Sequence, residues 1–212
     1  MIKVIVAYDQ NCDIGQYFED CKNDILNFFD ELQDIEKIYT EIPSARCNVA
    51  FIDMTMPQLK PHPFIFIAYT HGKNDSLRCA GNSYISLTNS HHFENSLFYS
   101  TACLIGRELA PDLINKGCKV FIGFNEESET PEGPSPYRQL FIDCDNYGIK
   151  HLTSSNSTIG QTYEAMQNNY TSKIDHLTNI GEPLFASILR INRDALICIG
   201  DKDLKKEDLF IA

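Results

Sequence analysis

Phe64-Ile65-Phe66-Ile67-Ala68-Tyr69-Thr70-His71-Gly72 and, further on, Ser96-Leu97-Phe98-Tyr99-Ser100-Thr101-Ala102-Cys103 decide how this chain is read. Each is an apolar run that gives way to polar residues at its end, the pattern of a strand buried on both faces of a parallel sheet. Two such strands deliver their last side chains to one rim, where open α/β sheets place their chemistry. His71 and Cys103 therefore arrive at the same edge, and an imidazole beside a thiol is the pair that thiol nucleophile chemistry requires.

Working outward, residues 2–7 form a buried strand, and Tyr17, Phe18, Cys21, Ile25, Phe28, Phe29 and Leu32 recur at the spacing of one amphipathic helix. Residues 37–42 read as a strand stopped by Pro43. Residues 47–59 read as a helix turning Val49, Ile52, Met56 and Leu59 to the sheet, closed by Pro61 and Pro63. Between the two decisive strands, 77–79 and 84–87 flank Gly81-Asn82 as a hairpin. After Cys103 the spacing predicts a helix within 104–116, at least over its second half, stopped at Gly117, and then a strand over 119–124. Residues 125–137 hold four glutamates and three prolines and form a long loop leaving the same rim as His71 and Cys103. Residues 140–144 read as a short strand, and 158–177 as a helix entered through Ser154-Ser155-Asn156-Ser157-Thr158. The chain closes with 187–191 and 195–199 as a hairpin joined by Asn192-Arg193-Asp194.

This alternation describes one α/β domain over residues 1–212: a three-layer sandwich with a mostly parallel central sheet, helices on both faces and a C-terminal hairpin. The chain has 212 residues, 43% of them hydrophobic, enough for one sizeable core. A net charge of -11 without a basic cluster argues against nucleic acid or a membrane surface as partner, since phosphate binding needs local Lys and Arg density. Eight cysteines stand singly, many inside apolar runs, as expected of buried thiols in a reducing cytosol rather than of a disulfide scaffold. His91-His92 with Cys79 and Cys103 lack metal-ligand spacing, and no phosphate-cradling glycine motif occurs, so neither metal nor cofactor is expected.

A catalytic thiol needs a neighbour that favours its charged form. His71 and the helix after Cys103 are the two candidates. Attack on a peptide carbonyl creates an oxyanion, for which the backbone N–H groups of Gly72 and Cys103 are the obvious donors. Glycine at 72 is expected to let a substrate backbone come close.

In this order, an apolar strand, His71-Gly72, a hairpin-bearing stretch, an apolar strand, Ala102-Cys103, Gly106, a helix, Lys116-Gly117-Cys118 and Val120-Phe121-Ile122-Gly123 resemble the caspase-like cysteine peptidases of clan CD. Within that group the chain is most similar to bacterial CHAT-type proteins. The resemblance implies a caspase-hemoglobinase fold, metal-free endopeptidase activity on peptides or proteins, and a place in bacterial defence or cell-death systems. It makes Cys103 the nucleophile, His71 its dyad partner and Gly72 part of the oxyanion hole. Thr101-Ala102-Cys103-Leu104-Ile105 departs from the eukaryotic caspase signature, so cleavage after Asp is not implied. Family geometry puts the specificity pocket between the loop after the first strand, with Asp9 and Asp13, and the loop after 119–124, with Glu126, Glu127 and Glu129. Carboxylates there would select Lys or Arg. The loop 125–137 would cover the site or, by way of Arg138, be cut by the enzyme itself.

Two other readings stand beside this one. A catalytically idle caspase-like module would act by binding a regulatory protein partner. A flavodoxin-like or receiver-type domain shares the alternation, but it calls for an acid where His71 stands and a lysine where Gly123 or Asn125 stands.

Overall fold

The structure, a computed structural model, describes residues 1–32, 36–59, 62–131, 133 and 135–209. In chain order come β1 (Ile2–Tyr8), α1 (Gly15–Glu31), β2 (Lys37–Pro43), α2 (Val49–Thr55) and β3 (Phe64–Tyr69). Three short strands follow, β4 (His71–Lys73), β5 (Ser76–Cys79) and β6 (Asn82–Ser86), then β7 (Ser96–Ser100), α3 (Leu109–Asn115) and β8 (Val120–Phe124). The chain ends with α4 (Arg138–Ser154), α5 (Ile159–Asn179), α6 (Pro183–Ala195) and β9 (Leu196–Gly200).

The central sheet has the order β2-β1-β3-β7-β8-β9, parallel throughout except for β9, which runs antiparallel to β8. Alternation along each strand sends side chains to two different cores. Val4, Val6, Ile65, Ile67, Leu97, Tyr99, Val120 and Ile122 face a layer built on α1, α4, α5 and α6. Ile5, Ala7, Phe64, Phe66, Ala68, Phe98 and Phe121 face α2, α3 and the small β4-β5-β6 sheet. Because both faces are covered, these strands are apolar at nearly every position.

Several expectations are corrected. Residues 140–144 are not a strand; they lie within α4, whose buried Phe141, Asp145, Gly148, Ile149 and Leu152 repeat at helical spacing. A short apolar run does not distinguish strand from helix by itself, and the buried polar Asp145 and Asn146 hide the helical stripe. The C-terminal hairpin is also absent: 187–191 belongs to α6, which begins with Pro183 in its first turn and buries Ala186, Leu189, Asn192 and Ala195. Helix α2 is shorter than expected and continues as a 3₁₀ turn, Met56–Gln58. It buries Ile52 and Met56 but leaves Val49 42% exposed. Pro61, expected to close that helix, lies outside the described residues. The hairpin turn falls one residue earlier than read, at Ala80-Gly81, whose φ values of 47° and 79° are those a two-residue turn between twisted strands requires.

The polar stretch before α5 is a true helix entry. Thr158 Oγ1 accepts from Gln161 N at 3.3 Å while Gln161 Oε1 accepts from Thr158 N at 2.9 Å, a reciprocal cap. Thr158→Ala is expected to cost about 1 kcal/mol and to lower the thermal midpoint by about 2–4 °C, read by calorimetry.

Candidate active site

Strands β3 and β7 pair in register from Phe64↔Ser96 to Ala68↔Ser100, so their C-terminal ends coincide at one rim. The alignment continues past the strands. Thr101 N donates to Ala68 O at 3.2 Å, Ser100 Oγ donates to the same carbonyl at 3.0 Å, and Ala102 N donates to Ser100 Oγ at 3.1 Å. Cys103 follows at once. Leu104 then turns the chain with φ +66°, a left-handed conformation that costs a branched side chain on the order of 1–2 kcal/mol. Its amide is held by Glu126 O at 3.1 Å, and Gly106 N by Phe124 O at 2.9 Å.

Just past the end of β3, His71 opens β4 of the small sheet, opposite Arg78. Glycine at 72 serves a purpose different from the one expected. A Cβ there would fall on the carbonyl oxygen of Cys103, with Ile105 Cγ2 at 2.7 Å and Ala102 Cβ at 3.0 Å, so the close neighbour is the Cys103 turn itself.

His71 and Cys103 line one cavity of about 110 Å³. The imidazole is exposed, with the edge of Phe18 against it at 5.6 Å between ring centres, and the thiol is half-buried. They share the cavity without a hydrogen bond between them among the described residues. The polar partner of Sγ is Ser128, whose N–H donates to it at 3.3 Å and whose hydroxyl lies at 3.4 Å. The helix after Cys103 occupies the second half of 104–116, from Leu109; turn residues 103–108 intervene, so its N-terminus does not reach the sulfur. The Cys103 amide N–H makes no hydrogen bond among the described residues.

Ser128, Glu129 and Thr130 of the loop after β8 line this site. Asn192 of α6 is 2% exposed, and its side chain accepts from Glu129 N and donates to Glu129 O, both at 2.8 Å, holding Ser128 against the thiol. Arg138, by contrast, is the first residue of α4, is paired with Asp20 at 2.8 Å and sits over the Tyr17 ring. A helical first turn is not an extended peptide that could enter a cleft, so the self-cleavage expectation has no support there.

Of the five acids expected in a specificity pocket, Glu129 alone lines this cavity. Asp9 is fully buried, and its carboxylate accepts from Ala80 N at 3.0 Å, Ser44 Oγ at 2.9 Å and Asn11 N at 3.2 Å. Burial works against its charge, but those hydrogen bonds outweigh burial and hold the carboxyl below its ordinary range. It is a clasp between β1, β2 and the hairpin. Asp13 is exposed and lines a neighbouring cavity with Ile14, Tyr17 and Arg138. Glu126 pairs with Arg107, and Glu127 is exposed and away from the cavity.

The sequence reading missed Asp145. It lines the cavity while only 6% exposed, and its carboxylate accepts from Tyr17 at 2.7 Å and Tyr170 at 3.3 Å. Burial pushes this carboxyl up to about 6, against the lowering effect of the two tyrosine hydroxyls. The only sequence-level signal was an acid on what proves to be the inward face of a helix, and it needed the helix assignment first.

The two buried acids should therefore respond oppositely to neutralisation. Asp9, depressed, stabilises the fold at neutral pH and loses that contribution as acid protonates it, so Asp9→Asn lowers the thermal midpoint at pH 7. Asp145, raised from 3.8 to about 6, weakens the fold above pH 6 and not below pH 4. Asp145→Asn is thus expected to gain on the order of 3 kcal/mol at pH 8 and nothing at pH 4, measured by denaturant melts at both values.

No family model matches the sequence, and no curated protein matches it either. Among solved structures the chain is similar to the Arg-specific cysteine proteinase gingipain R, with a TM-score of 0.62 and 14% sequence identity over 96% of this chain and 47% of that one. The chain spans about half the length of that structure. At this identity the likeness is one of fold: the chain has the caspase-like α/β fold seen in gingipain R, a mostly parallel sheet between helical layers.

Proposed function

We propose that the protein is a cysteine endopeptidase acting on peptide bonds after Lys or Arg in a reducing, cytosolic setting, with Cys103 as nucleophile and His71 as its acid and base. The observation that carries this reading is the convergence of His71 and Cys103 on one cavity at the tips of adjacent strands of a clan CD proteinase fold. In the first step the Cys103 sulfur attacks the scissile carbonyl carbon as the thiol proton passes to His71, and the C–O π electrons move to oxygen. The Cys103 N–H, with that of Gly72, would meet that charge, a contribution typically of ~3 to 4 kcal/mol for each donor. As the tetrahedral species collapses, the C–N bond breaks and His71 delivers a proton to the departing amine. Water, deprotonated by His71, then hydrolyses the thioester and restores the thiol. Separate placement of imidazole and thiol suits this sequence, because the histidine's proton is needed at the amine rather than at sulfur.

The rival, an idle module that binds a protein partner, is favoured by the contact of Ser128 with the thiol. Reaction with a small iodoacetamide decides between them. Under the peptidase reading, Cys103 is alkylated at least ~10-fold faster than the other cysteines, and Cys103→Ala and His71→Ala each lower peptide cleavage by at least ~10³-fold. Uniform labelling together with no cleavage of a peptide library would establish the idle module.

A further inference from the structure

We infer that Asp145, projecting from α4, is the residue that selects the substrate: the cavity beside Cys103 and His71 takes the side chain preceding the scissile bond, and Asp145 requires that side chain to be cationic. The role of the bound side chain rests on the peptidase reading above. The preference of the cavity for a cation does not.

Burial sets the depth. His71 is exposed, Cys103 is half-buried and Asp145 is 6% exposed, so the cavity runs inward from the reactive pair to the carboxylate. Its volume of about 110 Å³ suits one slender side chain; an apolar cavity of about 150 Å³ holds a benzene ring. Ile14, Phe18 and Phe124 offer apolar surface for a methylene stem, and Tyr17 presents an aromatic ring beside the acid, a combination that suits a long side chain ending in a charge.

The charge balance points the same way. The titratable groups that feel Asp145 are Tyr17 and Cys21 from α1, Tyr69 from β3, Tyr99 from β7, Cys144 on α4 and Tyr170 from α5, none of them cationic, while His71 lines the same cavity and is exposed. A buried carboxylate with no cation paired to it among the described residues is costly to keep, and the two tyrosine hydroxyls leave it spare acceptor capacity. A second, independent feature is Thr101. Its hydroxyl oxygen is buried, has no hydrogen-bond partner among the described residues and belongs to a residue lining the same cavity. Lys brings three donors and Arg five, enough in number for both acceptors. Glu129 also lines the cavity but is exposed, where solvent weakens any pairing.

The full chain is tested with four peptidyl acyloxymethyl ketones that differ only in their last residue: Arg, Lys, citrulline or norleucine. The rate of adduct formation on Cys103 is read by mass spectrometry. At pH 7.5 the Arg or Lys reagent is expected to react at least ~30-fold faster than its neutral counterparts. This ratio should fall to within about threefold in Asp145→Asn and drop by a smaller factor, about threefold, in Thr101→Val. In the unmodified protein it should also shrink below pH 6, where Asp145 gains its proton, a comparison that needs no variant. Faster reaction with Arg than Lys, or the reverse, identifies which cation the cavity prefers. Equal rates for all four reagents overturn the inference while leaving the peptidase reading intact, since Cys103 still reacts. A ratio that survives Asp145→Asn but disappears in Glu129→Gln also overturns it. If no reagent modifies Cys103, the peptidase reading fails, and titration with n-butylguanidinium against n-pentanol decides the cavity alone. Guanidinium binding lost in Asp145→Asn supports the inference, and its absence in the unmodified protein overturns it.

Discussion

The in-register pairing of β3 with β7 is the constraint on which the rest of the site depends. Two parallel strands ending level bring Thr70-His71 and Thr101-Cys103 to one edge, and Ala68 O, accepting from both Thr101 N and Ser100 Oγ, extends that alignment beyond the sheet. Gly72 completes the arrangement, because any larger residue there would push β4 away from the Cys103 turn and His71 with it. A slip of one residue in either strand would exchange the two cores and separate the reactive groups together.

Beneath that rim lies a polar layer inside an otherwise apolar interface between the sheet and α1, α4 and α5. Asn146 is fully satisfied, accepting from Tyr69 at 2.5 Å and donating to Cys21 O at 2.9 Å and Asp24 at 2.6 Å. Tyr99 donates to the carbonyl of Asp145 at 2.6 Å. Asp145 differs from its neighbours because no cation is paired with it among the described residues. In a layer this well paired, a lone acid facing a cavity is better explained by what enters the cavity than by packing.

The covering loop shows how an acidic, proline-rich segment without regular structure acquires a defined position. Asn192 reproduces two backbone-like hydrogen bonds on Glu129 and thereby sets Ser128 beside Cys103. The thiol is thus enclosed by residues from β7, the loop after β8 and the end of α6, three stretches far apart along the chain.

The alternation of apolar strands with amphipathic helices, the paired strands that lead to His71 and Cys103, and the helix entry at Thr158 were legible in the sequence, because each rests on a local pattern. Residues 140–144 and 187–191 were misread because a short apolar window carries no period of its own, and the buried polar Asp145, Asn146 and Asn192 interrupt the stripes that would have revealed two helices. Asp9 looked like a loop acid available to substrate until Ser44 and Ala80, from distant segments, closed over it. A polar side chain in a sequence looks the same whether it faces water, a partner or a cavity. Only tertiary packing, by bringing Tyr17 and Tyr170 to Asp145 and Glu129 to Asn192, decided which one each of these faces.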